Sequence, residues 1–405
     1  MSAFLPVEEQ LEIIERGTVE IVPREELKQK LEKSRESGKP LRIKLGCDPT
    51  RPDLHLGHSV ILRKMRQFQD LGHHTILIIG DFTAMIGDPS GANKTRPALT
   101  KEEVLHNGKS YFDQASKILD PDKTEIVYNS EWLSPMSFGD VIRLASHYTV
   151  ARMIERDDFT KRYQNNDTIS LHEFLYPLAQ GQDSVHLRSD VELGGIDQKF
   201  NLLVGRHLQK EFSQPQQVCL MMPLLVGTDG TMKMSKSYEN YIGIDEKPED
   251  MYGKTLSIPD DLIYPYFELL TDVSLHDLPE IREKAEEDPR NAKHDLAWTI
   301  TKMYHGSDLA DQARAFFEKT VVKKDIPDEI PEFALDAGRQ LRLLDLMKHV
   351  GFVASNSEGR RMVTQGGVTL DGEKITDPQY ELVLEEDKEL ILKVGKRKYG
   401  KLVTK

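Results

Sequence analysis

Apolar and polar positions follow two rhythms along the first half of the chain. Leu41-Arg42-Ile43-Lys44-Leu45-Gly46 alternates with the two-residue period of a short strand, and from Ser59 to Leu71 the apolar residues Ile61, Leu62, Met65, Phe68 and Leu71 fall at helical spacing. The pattern then predicts a strand at Thr75-Ile76-Leu77-Ile78-Ile79, a helix over Lys101 to Leu119 and a strand at Glu125 to Tyr128. A helix over Gln198 to Leu208 and a strand over Val218 to Met222 follow. Strands alternating with helices predict an α/β fold, a doubly wound parallel sheet that binds ligands at the carboxyl ends of its strands.

From about Asp245 to Val322 the texture changes to charged amphipathic segments such as Asp295 to Met303 without a strand pattern, which predicts an α-helical domain. Charged, proline-bearing residues 323–337 read as a linker. Residues 338–405 predict a small α+β domain: a helix around Leu341 to Met347, a second over Ser357 to Val363, and a strand and turn at Val368-Thr369-Leu370-Asp371-Gly372. Residues 1–244 are then the sheet domain and 245–322 the helical one.

Composition narrows the class. With 405 residues the chain has room for two or three domains, and its net charge of −13 argues against indiscriminate binding to nucleic acid while leaving local basic surfaces open. Two cysteines, Cys47 and Cys219, are too few for a disulfide framework or a cysteine zinc site, which predicts a reducing compartment. No secretion signal or membrane-length apolar run is present, so a cytoplasmic protein is expected. The last thirteen residues hold six basic side chains and no acidic one, a pattern that suits a solvated tail or a phosphate-contacting edge equally well.

Two short strings carry the chemistry. His55-Leu56-Gly57-His58 sits where a strand hands over to a helix, and a helix start carries unpaired N–H groups that attract phosphate; Gly57 leaves the backbone open to a ligand and two imidazoles can donate to phosphate oxygens. Lys233-Met234-Ser235-Lys236-Ser237 follows Gly227-Thr228-Asp229-Gly230-Thr231, whose glycines predict a mobile turn that can bring two ammonium groups onto accumulating negative charge. Alone, either string reads as solvated surface; in this order they predict a two-part clamp for the phosphates of ATP. Gly87-Asp88-Pro89-Ser90-Gly91-Ala92-Asn93-Lys94-Thr95 fails the spacing of a phosphate loop, because Lys94 stands three residues after Gly91.

Paired in this way, the strings are the signature of class I aminoacyl-tRNA synthetases. With Gly46-Cys47-Asp48-Pro49-Thr50, Gly87 to Gly91, the trio Tyr176, Gln180 and Asp183, and Gly194-Gly195-Ile196-Asp197-Gln198, the chain resembles the bacterial tyrosyl-tRNA synthetases over nearly its whole length. The resemblance implies a Rossmann-like catalytic domain and a C-terminal S-four-type RNA-binding domain, with Arg360, Arg361, Lys396, Arg397 and Lys398 as RNA contacts. It implies ATP contacts from Gly46, Asp48, Gly57, Gly195, Asp197, Lys233 and Lys236, and charge stabilisation by His55, His58, Lys233 and Lys236 without a covalent intermediate. For tyrosine it implies Tyr176 and Gln180 with Asp88 on the α-ammonium, Asp183 on the phenolic hydroxyl, and Gln198 near the reacting carboxylate; Asp48 is also a candidate for the ammonium.

Tyr176, Gln180 and Asp183, at i, i+4 and i+7, share one face of a helix that Ser170-Leu171-His172-Glu173 could start as a capping box and that Pro177 would bend. Two positions depart from the family pattern: Lys44 stands where a tyrosine usually shares the substrate's hydroxyl, and Ala92 replaces a basic residue, with Lys94 and Arg96 nearby. The implied reaction joins L-tyrosine to ATP as tyrosyl-adenylate with release of pyrophosphate, then moves tyrosine to the terminal adenosine of tRNA(Tyr) with release of AMP. ATP with Mg2+ is the co-substrate, no tightly held cofactor or protein-bound metal is expected, the helical and C-terminal domains grip tRNA, and a homodimer is implied. The alternatives are a tryptophanyl-tRNA synthetase, a small nucleotidyltransferase, and a non-catalytic RNA-binding protein descended from a synthetase.

Overall fold

A computed structural model describes residues 4–49, 53–89, 101–322, 330–335, 340–383, 389–395 and 398–404. Six strands form the first sheet: β1 (Glu20–Val22), β2 (Arg42–Cys47), β3 (His74–Ile79), β4 (Thr124–Tyr128), β5 (Val191–Gly195) and β6 (Val218–Met222), in the order β1-β6-β5-β2-β3-β4. All neighbours are parallel except β1, which runs against β6. From β2 the chain winds outward through β3 and β4 and later returns to lay β5 against the other side of β2, so the order reverses between β2 and β5. A crevice opens at such a reversal, beyond the carboxyl ends of the two strands.

Strands covered on both faces are continuously apolar, and Thr75 to Ile79 and all of β6 are buried accordingly. Lys44 and Glu192 are charged exceptions: fully buried, they lie directly opposite each other on β2 and β5. The helix Leu56–Asp70 buries Leu56, Val60, Leu62, Met65 and Phe68 at helical spacing, leaving Ile61 half-buried.

Residues 245–306 contain the helices Pro248–Thr255, Ile263–Leu270, Leu278–Glu287 and Pro289–His305, with no strand among them. Met251, Ile263, Tyr266, Leu296 and Ile300 belong to the same apolar core as Leu45, Leu62 and Met65. The chain divides into two compact units, Met1–Gly306 and Ser307–Lys405, with the sheet and the helices of 245–306 in one unit. Amphipathic helices show in sequence, but the surface they pack against does not.

The second unit has its own core, including Leu343, Met347, Val363, Val368, Leu392 and Leu402. It carries the helices Leu343–His349 and Asn356–Thr364 and a sheet in which Val368–Leu370 pairs with Glu373–Ile375. Asp371 and Gly372 join those strands, both at positive φ (50° and 84°), as a tight two-residue hairpin requires. Most of the expected linker lies outside the described residues.

Candidate active site

The first string starts a helix by capping it with its own histidines. His55 is the N-cap of Leu56–Asp70: its Nδ1 accepts from the Gly57 amide at 3.1 Å, and the Nδ1 of His58 accepts from the His55 amide at 3.2 Å. With Nδ1 of each ring used as an acceptor, hydrogen-bond logic assigns the proton to Nε2. Burial holds both rings neutral, pushing His55 down to about 2 and His58 to about 4, with the nearby Lys236 charge acting in the same direction. Two neutral N–H donors at a helix start are thus available throughout the physiological range. Gly57 has a nearer reason than ligand access, since a Cβ there would meet His55 Cε1 at 2.8 Å and Nδ1 at 2.9 Å.

The second string is braced. Asn240 accepts from the Ser235 amide at 2.7 Å and donates to Asp229 at 2.9 Å and to the Lys233 carbonyl at 3.2 Å. Asp229 takes the Thr231 and Met232 amides, both at 3.1 Å, contacts that hold its carboxyl below the usual range. The chain leaving the string returns to the first: the Leu56 amide donates to the Ile242 carbonyl at 2.9 Å and that of Ile244 to Leu54 at 3.2 Å. Lys233 Nζ stands 3.9 Å from Asp197, and Lys236 pairs with Asp53. The glycines at 227 and 230 therefore serve a braced turn.

These groups line a cavity of about 660 Å³ containing His55, Gly57, His58, Asp197, Lys233 and Lys236. A second chamber of about 320 Å³ shares Asp48, His58, Tyr111, Asp197 and Lys233 with it and is also lined by Gly46, Asp88, Tyr176, Gln180, Asp183, Gly195 and Gln198. All the residues expected to contact ATP or tyrosine thus lie at the β2–β5 crevice.

In the second chamber Tyr176 donates to Asp48 Oδ2 at 2.8 Å and Thr83 donates to Oδ1 at 2.6 Å. Gln198 donates to Asp88 at 2.8 Å. Tyr176, Gln180 and Asp183 share the helix Tyr176–Leu187, as their spacing predicts. Pro177 does not bend it, because it lies in the first turn, where a missing N–H costs nothing. The capping box at Ser170 starts a separate 3₁₀ turn, Leu171–Phe174, and its Glu173 pairs with buried Arg162. Gly181 admits the neighbouring helix Lys199–Glu211: a Cβ would meet Leu208 Cδ1 at 2.7 Å and the Gly205 nitrogen at 3.3 Å.

Asp183, 3 % exposed, accepts from Trp132 Nε1 at 2.9 Å and, more weakly, from Asn129 Nδ2 at 3.4 Å. Burial pushes its carboxyl up to about 7, against the lowering effects of Lys44, Trp132 and Asn129. Motif reading misses Trp132, Asn129, Thr83 and Glu192; the available signal was that Asn129 directly follows β4, at the carboxyl end of a parallel strand. Lys44 is absent from the chamber wall and pairs with Glu192 at 2.9 Å.

A model of the family "tRNA synthetases class I (W and Y)" matches residues 36–322, and one of the S4 domain matches 341–387. The chain belongs to the class I tRNA synthetases. It is 58% identical to a tyrosine–tRNA ligase of Salinibacter ruber over 402 residues, covering 99% of this chain and 98% of that protein. A tyrosine–tRNA ligase of Thermotoga maritima is 54% identical over 398 residues, with 98% and 97% covered. Among solved structures, a tyrosyl-tRNA synthetase of Archaeoglobus fulgidus in complex with L-tyrosine superposes with a TM-score of 0.60 at 25% identity, covering 76% of this chain and 99% of that one.

In this class I synthetase the expected RNA contacts fall in the second unit. Arg360 and Arg361 are exposed on the helix Asn356–Thr364. The Lys398 ammonium donates to the Phe352 carbonyl at 2.5 Å. Lys396 and Arg397, like Thr50, Ser90, Gly91, Ala92, Lys94 and Arg96, lie outside the described residues.

Proposed function

We propose that the chain is a tyrosine–tRNA ligase: it activates L-tyrosine with ATP to tyrosyl-adenylate and pyrophosphate, then transfers tyrosine to the terminal adenosine of tRNA(Tyr) and releases AMP. The observation that carries this reading is a buried carboxylate, Asp183, held by two donors in a small chamber that joins the cavity of the two signature strings. A phenolic hydroxyl donating to Asp183 would satisfy it, whereas phenylalanine would leave a buried acceptor unmet, a penalty that discriminates far better than apolar fit. Relatives named tyrosine–tRNA ligase at 58% and 54% identity support the same conclusion.

Tyr176, Gln180 and Asp88 take the α-ammonium, and Gln198 lies beside the reacting carboxylate. Asp197 takes the ribose, while Gly46 and Gly195 let adenosine approach the backbone. ATP brings its Mg2+ with it. As tyrosine's carboxylate attacks the α-phosphorus and pyrophosphate leaves, His55 and His58 donate from Nε2 and Lys233 and Lys236 add charge, so the chain stabilises the transferring phosphate by fixed donors. The decisive measurement is ATP–pyrophosphate exchange with each amino acid in turn: tyrosine is expected to stimulate it with a kcat/KM far above that of phenylalanine, which is measurable only at high concentration, and preferential stimulation by tryptophan, or by none, sinks the reading.

Arg360 and Arg361 are assigned to tRNA phosphates, and the cytoplasm is the expected compartment; among the described residues no helix is long and apolar enough to cross a membrane. A homodimer fits the helix Phe138–Ser146, which buries Leu144 but exposes Phe138 (81 %) and Ile142 (56 %) at i and i+4. Replacing both by aspartate is expected to turn a dimer into a monomer in analytical ultracentrifugation; a wild-type monomer refutes the assignment.

A further inference from the structure

The pair at the centre of the sheet is unusual in kind. Lys44 and Glu192 face each other across β2 and β5 at 2.9 Å, with side chains 0 % and 2 % exposed. Ion pairs this deep are weak contributors to stability once their desolvation is counted, so their presence calls for a role. Apart from Gln217, which precedes β6, the pair's hydrogen-bond partners lie on the helix that walls the tyrosine chamber. Glu192 Oε1 accepts from Gln180 Nε2 at 3.1 Å, Oε2 accepts from Ser184 at 3.2 Å and from Gln217, and Lys44 Nζ reaches the Gln180 carbonyl at 3.4 Å. Gln180 and Ser184 flank Asp183 on the same helix.

Building on the tyrosine reading above, we propose that Lys44 and Glu192 are positioning residues for substrate selection: from beneath the chamber, without touching the amino acid, they fix the Asp183 helix and set the charge that makes Asp183 an acceptor for a hydroxyl. One cation acts on two carboxylates, paired with Glu192 at 2.9 Å and favouring the charged form of Asp183 through its field. Burial alone drives Asp183 towards its neutral form, Lys44 opposes this most strongly among its neighbours, and Glu192 reinforces the burial effect. Trp132 and Asn129 supply only neutral N–H donors. Of the other titratable groups around the chamber, Tyr176 on the same helix is driven well above its ordinary range by burial and by Asp48, Asp88 and Asp183, so it stays neutral; His186 stacks on Trp132, 4.4 Å between ring centres. At the position where the resemblance implies a second phenol contact, Lys44 acts on the hydroxyl's acceptor through its charge instead.

The test is the pH profile of kcat/KM in ATP–pyrophosphate exchange, whose acid limb for tyrosine reports Asp183 in the free enzyme. Activity with tyrosine requires the anion, so it falls as pH drops through that limb. Lys44→Met removes the cation and is expected to move the limb up by about one pH unit, which is about a tenfold loss of kcat/KM well below the limb. Glu192→Gln keeps the hydrogen-bonding shape but removes the competing anion, and is expected to move the limb down. Phenylalanine, lacking the hydroxyl, should show neither movement. Opposite shifts cannot come from general damage, and if Lys44→Met fails to fold, the downward shift in Glu192→Gln decides alone. Limbs that stay in place, or move together for both amino acids, overturn the proposal while leaving tyrosine activation intact; wild-type protein without tyrosine-stimulated exchange overturns both.

Discussion

Asp183→Ala abolishes the preference for tyrosine over phenylalanine. In exchange kinetics the expected result is a collapse of kcat/KM for tyrosine with little change for phenylalanine, since only tyrosine brings a hydroxyl to the site. The scale is adopted from tyrosine-selecting members of this same family, for which rejection of phenylalanine is about 10⁵-fold. The geometry accounts for so large an effect. Asp183 is buried, and Trp132 donates to it at 2.9 Å, so its placement is already fixed when substrate arrives. Alanine would also leave the Trp132 and Asn129 donors without this acceptor, so a binding measurement with tyrosine should accompany the kinetics. Unchanged tyrosine kinetics would remove Asp183 from the site.

Lys233→Ala is expected to lower kcat for tyrosine activation by about 10² to 10³, with little change in tyrosine affinity. The reason is that Lys233 has so weak a ground-state commitment: its nearest carboxylate stands 3.9 Å away and its side chain is 46 % exposed. A cation in that state gains most when negative charge accumulates between it and the histidines, and an interaction made only at that moment lowers kcat and kcat/KM together. Rapid-quench measurement of adenylate formation checks this directly. An unchanged rate of adenylate formation would leave Lys233 as a solvated side chain.

Much of this site could be read from sequence because it is local. His55 to His58 and Lys233 to Ser237 are contiguous strings, and Tyr176, Gln180 and Asp183 follow a helical spacing that three positions suffice to show. The alternation of strands and helices was equally plain, because fully buried parallel strands leave apolar runs. What stayed hidden depends on strand order. That Lys44 meets Glu192, or that Trp132 and Asn129 reach Asp183, follows from which strands become neighbours, and no period in the chain encodes it. Local signals also misled where two elements abut: the capping pattern at Ser170 is real but starts the turn before the helix, and Pro177 is harmless only because the helix begins at Tyr176.

The crossover that sets Lys44 opposite Glu192 also has a consequence in time. On the ribosome the chain emerges N-terminus first at about 5–20 residues per second, so one edge of β2 is open for roughly seven to thirty seconds before β5 exists to cover it. Paired with β3 alone, β2 then has one open edge, and an open apolar edge is where nascent chains aggregate, with a charge in its middle as the usual safeguard. Until β5 emerges, Lys44 is that charge; once the sheet closes, the same ammonium is neutralised by Glu192 and lies beneath the chamber.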